Sequence, residues 1–210
     1  MISFAVYCLV AIVNLVSAAF FKETIRKLSK ACLMPALVVC YLLGPQHILI
    51  WVIAALIASW IGDILLINKD NPAFFKLGLA AFLISHALYI VAFLTLAGSL
   101  NVFALIISVI LAIPLTLAIL KLVNANASMK IPVTAYAVVI VLMSVSALQL
   151  MLVRPGHASV IVFIASLIYI FSDSLMAYLL FHNKPKYFNV ITMAPYIIAQ
   201  GAIILGLTLM

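Results

Sequence analysis

The fold is decided by one stretch of the chain: residues 48–72 read ILIWVIAALIASWIGDILLINKDNP. The first part is about twenty apolar residues, the length that a helix rising ~1.5 Å per residue needs to cross a hydrocarbon core about 30 Å thick. The run ends in a cluster of turn-forming and charged residues at 68–72. One carboxylate, Asp63, lies inside the apolar run, and a second, Asp70, lies in the cluster that ends it. The stretch therefore predicts a membrane-spanning helix that carries an ionisable group.

The same pattern repeats along the whole chain. Its 210 residues are 69% hydrophobic and 7% charged, which is far too apolar for a soluble domain. Short breaks rich in Gly, Pro, Asn and Lys separate the apolar runs, and none of the runs alternates with a period of two. We therefore predict an all-α polytopic membrane protein with about eight transmembrane helices in one bundle, so that residues 1–210 form a single transmembrane domain. The predicted spans are residues 3–20, 29–44, 48–67, 74–97, 100–120, 132–153, 158–181 and 189–209.

Basic residues predict how the chain is oriented in the membrane. The even-numbered connections hold only Arg154, whereas the odd-numbered connections and their flanks hold the other ten: Lys22, Arg26, Lys27, Lys30, Lys69, Lys76, Lys121, Lys130, Lys184 and Lys186. Because Lys and Arg accumulate on the cytoplasmic side, we expect the odd connections there and both termini on the non-cytoplasmic side. The predicted location is the cell (cytoplasmic) membrane, crossed several times. The net charge of +7 is scattered among loops and forms no stripe, so nucleic acid is not an expected partner.

The chain has four carboxylates, and two of them are in unusual places. Glu23 and Asp70 lie among lysines in connections, where a solvated charge is ordinary. Asp63 and Asp173 lie inside apolar runs, where an ionisable side chain costs ~2.5–3.5 kcal/mol on insertion scales. A structural carboxyl that hydrogen-bonds between helices is the alternative reading. We favour a functional pair, because intramembrane carboxylates usually mark an active or transport site.

Depth brings further polar residues to the same level. Asp63 and Asp173 each lie fifteen residues into a helix that runs inward, about 22 Å from its outer end and thus in the cytoplasmic half of the membrane. The neighbouring helices run back outward and begin near that level. We expect one cavity, open towards the cytoplasmic side, to collect the polar residues that these helices carry: Lys30, His86, Tyr89, Tyr196 and Gln200.

A faint internal repeat accompanies the two aspartates. Residues 61–66 (IGDILL) resemble residues 171–176 (FSDSLM). This similarity predicts two parallel four-helix halves, 1–99 and 100–210, each of which supplies one aspartate.

Several motifs together resemble a known family. The chain reads SWIGDILL at residues 59–66 and FKLGLAAFLISHALY at 75–89. With Lys30 ahead of Met34-Pro35, Ser172-Asp173-Ser174, and Tyr196 followed by Gln200, this pattern resembles the YhhN-like lysoplasmalogenase family over nearly the whole chain. One departure is Ala31, where the family usually has proline after the lysine.

The resemblance implies hydrolysis of the vinyl ether bond of lysoplasmalogens, which gives a fatty aldehyde and a glycerophospho-ethanolamine or -choline. Asp63 and Asp173 are then the catalytic acid and base, in an order that the sequence leaves open. The expected partners are a lysophospholipid substrate and the lipid bilayer, without a metal or an organic cofactor. Five residues are expected to bind substrate or tune the aspartates: Lys30, His86, Tyr89, Tyr196 and Gln200.

Three other classes of membrane protein stay open at this point. A proton-coupled transporter or channel is the main alternative, because proton relays also use carboxylates, His and Tyr on facing helices. A non-catalytic receptor or assembly partner would show no lipid turnover. An intramembrane aspartyl protease also uses two aspartates, but the chain lacks the YD and GxGD pair of that class.

Overall fold

The computed structural model describes residues 2–44, 47–125 and 127–210, and these residues are helical almost throughout. Within them the chain forms eight α-helices, as the sequence predicts. A short 3₁₀ turn, Leu66–Asn68, follows α3. The α-helices are α1 (Ile2–Ala19), α2 (Glu23–Leu42), α3 (Ile50–Leu65), α4 (Pro72–Ala97), α5 (Val102–Val123), α6 (Ala127–Val153), α7 (His157–Phe181) and α8 (Phe188–Thr208). The predicted break at 44–47 falls partly on positions 45 and 46, outside the described residues.

Two predicted boundaries are corrected. Helix α2 begins at Glu23 instead of residue 29, so the charged segment after α1 forms its first turns. The chain reverses just before it, where Phe21 has a φ of 56° and the Lys22 N–H donates to Ser17 O at 2.8 Å. Helix α6 begins at Ala127, and Pro132, expected at its start, lies inside it.

Five of these helical segments are long and apolar enough to cross a bilayer: Ile50–Asn68, Pro72–Ala97, Met129–Val153, His157–Phe181 and Phe188–Thr208. Apolar stretches of α1 and α5, Ser3–Ala19 and Ser108–Val123, are shorter. A multi-pass membrane protein is therefore confirmed, whereas the count of eight spans and the orientation of the termini stay predictions. The division into two four-helix halves also stays a prediction.

The helices pack as antiparallel neighbours around a shared core. The consecutive pairs α1–α2, α3–α4 and α7–α8 pack along their lengths, and α4 also packs on α6. Helix α8 contacts α1 and α2 as well as α7, so the last helix closes the bundle against the first two. Large apolar side chains cover the outside, and Ile131, at 82% exposure, is an extreme case. An apolar exterior of this kind suits lipid as the surrounding solvent.

Local signals in the sequence explain where α4 lies. Asn71 caps it by accepting from the Ala73 N–H at 2.9 Å, and Pro72 occupies the first helical position. Small residues let α4 approach α3 closely: a Cβ added at Gly62 would lie 2.7 Å from the Phe82 ring. The same close contact allows Ser59 Oγ and Ser85 Oγ to hydrogen-bond at 2.7 Å.

Candidate active site

One cavity lies towards the end of the bundle that carries the α1–α2, α3–α4, α5–α6 and α7–α8 connections. It holds about 460 Å³ of empty space, part of it open to the outside. Every helix that lines it contributes from the half nearest one of those odd-numbered connections. Its walls are mostly apolar and aromatic. The lining residues are Lys30, Asp63, Leu66, Phe75, Leu79, Phe82, Tyr136, Ser172, Asp173, Met176, Thr192, Met193 and Tyr196.

Asp63 is almost completely buried in this cavity, at 1% exposure, and its two oxygens have different partners. Oδ1 lies 3.3 Å from the Lys30 Nζ, and Oδ2 accepts a hydrogen bond from the Tyr196 hydroxyl at 2.8 Å. The ammonium stabilises negative charge on the carboxylate, and the phenol fixes its direction. Residues from α2, α3 and α8 therefore meet at this carboxyl.

Lys30 is buried because α2 packs against α3 at its second turn. The Trp60 indole N–H donates to the Ala31 carbonyl at 2.7 Å, which ties the two helices together beside the ion pair. Earlier on α2, Arg26 pairs with Glu23 on its own helix. Lys30 thus points its ammonium at a carboxylate inside the protein.

Asp173 lines the same cavity and is only partly buried. Its Oδ2 accepts a hydrogen bond from the Tyr136 hydroxyl of α6. No cation pairs with it in the described part of the chain. The two aspartates therefore share a cavity but differ in their surroundings, one beside an ammonium and the other beside a neutral phenol.

His86 is buried next to the cavity but does not line it. Its ring packs edge-on against Tyr136 and Tyr169, with centroid distances of 5.3 and 4.7 Å. Neither ring nitrogen makes a hydrogen bond with the described residues. His86 thus reaches Asp173 only through the phenol of Tyr136.

Tyr89 and Gln200 belong to a polar network behind the cavity. The Tyr89 hydroxyl donates to Gln200 Oε1 at 2.9 Å. The Gln200 Nε2 donates to Ser59 Oγ and to Tyr169 Oη, both at 3.0 Å. Because the Tyr169 ring contacts the Tyr196 ring at 5.7 Å, this network supports the phenol that holds Asp63.

The structure thus brings four of the seven predicted site residues to the cavity wall: Lys30, Asp63, Asp173 and Tyr196. The expectation that a single cavity would collect all seven is corrected, since His86, Tyr89 and Gln200 lie behind its wall. Sequence reasoning missed Tyr136, which bonds to Asp173, and Tyr169. A tyrosine in an apolar run has no distinguishing spacing, so only knowledge of which helices touch would have found them.

The connections at this end of the bundle carry most of the charge. Lys184, before α8, pairs with Asp70, before α4, at 2.5 Å, and this hydrogen bond lowers the pKa of the Asp70 carboxyl. Lys186 lies over the ring of Phe21. Three connections that the sequence assigns to one side of the membrane therefore do meet at one end of the molecule.

The chain matches the model of one known protein family. A model of the YhhN family matches residues 25–207, which include all seven predicted site residues. The chain belongs to the YhhN family. The resemblance predicted from the motifs is confirmed, and YhhN proteins are associated with lysoplasmalogenase activity. Searches of curated proteins and of solved structures give no match. Within the described residues, no three His, Cys, Asp or Glu side chains gather as a metal site would require.

Proposed function

We propose that this YhhN protein hydrolyses the vinyl ether bond of lysoplasmalogens, giving a fatty aldehyde and a glycerophospho-ethanolamine or -choline. Membership of the family supports the reaction class. The observation that carries the proposal is the placement of Asp63 and Asp173 on one cavity wall with unlike neighbours. Acid and base catalysis by two carboxyls needs such a difference, because one must hold a proton while the other is ionised.

The cavity suits an amphipathic substrate. Leucine, methionine and phenylalanine supply six of its thirteen lining side chains, and they favour a hydrocarbon chain. The polar groups gather on the parts of the wall formed by α2, α3, α6, α7 and α8. A lysolipid that enters from the membrane places its tail among the apolar side chains and its vinyl ether near the aspartates.

Asp173 is the proposed general acid. A vinyl ether is hydrolysed by protonation on carbon, which converts the carbon–carbon double bond into an oxocarbenium ion. The proton must come from a positioned acid, and a carboxyl with a neutral phenol as its partner is the better donor of the two. Tyr136 holds the second oxygen of the carboxyl in place.

Asp63 is the proposed electrostatic partner and general base. Its negative charge, stabilised by Lys30, faces the developing cation and then takes a proton from the attacking water. The hemiacetal that forms loses its hydroxyl proton to the Asp173 carboxylate while Asp63 returns a proton to the glycerol oxygen. The carbon–oxygen bond then breaks, and both aspartates regain their starting states.

The other predicted site residues have supporting roles in this proposal. Tyr196 orients Asp63 directly. Gln200 and Tyr89 position the aromatic wall behind it, and His86 packs on the phenol that holds Asp173. In the proposed setting, the cell (cytoplasmic) membrane, the cavity opens towards the cytoplasm and both termini lie on the opposite side. The clustering of basic connections at the cavity end supports that orientation.

The direct test is incubation of the purified protein with a lysoplasmalogen and detection of the aldehyde, with a saturated lysophospholipid as the control substrate. The proposal expects aldehyde from the vinyl ether lipid alone. The same protein in liposomes tests the transport alternative. Proton flux without aldehyde release would replace the hydrolase with a proton-coupled transporter or channel.

A further inference from the structure

Lys69 lies just outside the cavity wall, towards the charged end of the bundle. It lies three residues after Leu66, across the 3₁₀ turn in which residues three apart lie above one another. Its Nζ donates to Asn189 Oδ1 at 2.8 Å and lies 4.2 Å from the centre of the Phe188 ring. Leu66 lines the cavity, so Lys69 is one turn outward from its wall.

Asn189 reaches the same place from α8. It precedes the cavity-lining Met193 by four residues, which is one helical turn. The bond to Lys69 uses the carbonyl oxygen of the amide. Its Nδ2 makes no hydrogen bond with the described residues. One ammonium and one amide donor are thus next to each other just outside the cavity wall.

Lys69 differs from the three cations that act on it most strongly, Lys30, Arg26 and Lys184. Lys30 pairs with Asp63, Arg26 with Glu23 and Lys184 with Asp70. Within the described residues Lys69 has no such ion pair. Burial, and then the like charges of Lys30, Arg26 and Lys184, lower its pKa to about 7, against a weak opposing effect of Asp70. A charged lysine here gains from an added anion, which would offset the repulsion among these cations.

We propose that Lys69 and Asn189 bind the phosphate of the lysophospholipid headgroup. This inference rests on the proposed function, since it identifies where that substrate is anchored. Lys30, the cation on the cavity wall, is not assigned this role because its ammonium already pairs with Asp63. Lys69 lies roughly 10 Å beyond Asp63 along the helix axis, and its flexible side chain shortens that distance. The glycerol backbone spans the remaining gap between vinyl ether and phosphate, and lysine is a common phosphate ligand.

The site predicts a particular pH dependence of binding. Lys69 loses its charge as the pH rises through about 7, so phosphate affinity falls above that value. A bound phosphate raises the pKa of Lys69 and moves the fall to higher pH. The charged groups that face Lys69 are Lys30, Arg26 and Glu23 from α2, Lys184 from the α7–α8 connection and Asp70 from the α3–α4 connection.

The test measures binding without turnover, so it does not depend on whether the protein is a hydrolase. Radiolabelled palmitoyl-lysophosphatidylethanolamine and the neutral palmitoyl-glycerol are bound to the protein in a maltoside detergent that carries no phosphate. Lys69→Met removes the ammonium, and Lys69→Arg keeps the charge. Lys76→Met is the matched control, because Lys76 is exposed near the start of α4 at the same end of the bundle.

We expect Lys69→Met to weaken binding of the phospholipid by roughly 10- to 100-fold and to leave the neutral lipid unchanged. Lys69→Arg and Lys76→Met should stay within about twofold of wild type. The affinity of wild type for the phospholipid should fall several-fold between pH 6 and 8.5, and that of Lys69→Met should not.

Any of four results would overturn the assignment. If Lys69→Met binds both lipids as wild type does, or loses both equally, the lysine does not bind a phosphate. If Lys76→Met loses as much affinity as Lys69→Met, only the general positive potential matters. If inorganic phosphate alone stabilises the wild type at the concentrations at which the lysophospholipid does, the site recognises free phosphate and not a lipid. If these binding results hold but no aldehyde forms in the separate assay, the hydrolase proposal fails and the phosphate site remains.

Discussion

Asp63 and Asp173 line the same cavity, yet their neighbours differ in charge. Asp63 lies 3.3 Å from the buried ammonium of Lys30 and accepts a hydrogen bond from the phenol of Tyr196 on α8. Asp173 accepts a hydrogen bond from the phenol of Tyr136 on α6 and, among the described residues, has no cation beside it. The surroundings of two chemically identical side chains thus favour a different protonation state, and so a different proposed catalytic role, for each. The difference teaches that the proposed acid and base are distinguished by the ammonium of α2.

The largest effect is expected from removing the acid. Asp173→Asn keeps the shape of the side chain but cannot donate a carboxyl proton, so aldehyde release should fall by roughly 10²- to 10⁴-fold. The rate is measured with purified protein and lysoplasmalogen at matched amounts of folded protein. Glu23→Gln, which neutralises an exposed carboxylate on α2, is the control and should retain full activity. Undiminished turnover by folded Asp173→Asn would remove this residue from the mechanism.

Removing the ammonium makes the two aspartates alike. Lys30→Met leaves a buried carboxylate without its cation, which costs about 3–5 kcal/mol of stability. We expect a marked fall in the melting temperature in detergent. The double variant Lys30→Met with Asp63→Asn should recover much of the lost stability, because no uncompensated charge remains, but not the activity. Equal melting temperatures for the wild type and Lys30→Met would show that the ion pair does not matter to the fold.

The two phenols allow a gentler comparison. Tyr136→Phe removes the hydrogen bond to Asp173, and Tyr196→Phe removes one of two polar partners of Asp63. Tyr136→Phe should slow aldehyde release about tenfold, which corresponds to the roughly 1.5 kcal/mol of a hydrogen bond to a charged group. Because Lys30 still holds Asp63, we expect Tyr196→Phe to be the milder of the two. Tyr178→Phe, at an exposed position, is the control, and a reversed order would mean that the ammonium contributes little.

The smallest effect is expected behind the cavity wall. Tyr89→Phe removes one hydrogen bond to Gln200, which should lower stability by about 1 kcal/mol. Turnover should fall only a few-fold, because Gln200 still bonds to Ser59 and Tyr169. A loss of activity as large as that of the aspartate variants would place Tyr89 in the reaction itself.

The site residues that the sequence predicts best are those whose placement inside the membrane has a high free-energy cost. Asp63 and Asp173 stand out because a carboxylate in an apolar run must have a reason to be there. Their common depth follows from counting residues along helices of known rise. Composition and run length likewise predict the helical membrane fold, and α2 is the exception because its first turns are charged.

The rest of the candidate site depends on which helices contact one another and on how each helix is rotated about its own axis. Tyr136 meets Asp173 because α6 reaches the cavity between α4 and α7, and the order of helices around a bundle is not written in any local pattern. Tyr89 and Gln200 lie at the expected level, but they face each other instead of the cavity. The depth of a residue in the membrane follows from its position along its own helix. The direction in which its side chain points depends on how all the helices of the bundle pack.

The contact between Gly62 and Phe82 links backbone spacing to chemistry. A methyl group at position 62 would lie 2.7 Å from the Phe82 ring, and that ring packs edge-on against Tyr196 at 5.8 Å. Tyr196 in turn directs the carboxyl of the residue next to the glycine. Positions therefore differ in the substitutions they tolerate during evolution. The lipid-facing surface can exchange one apolar residue for another, whereas even alanine at position 62 would change the orientation of the Asp63 carboxyl, the proposed base.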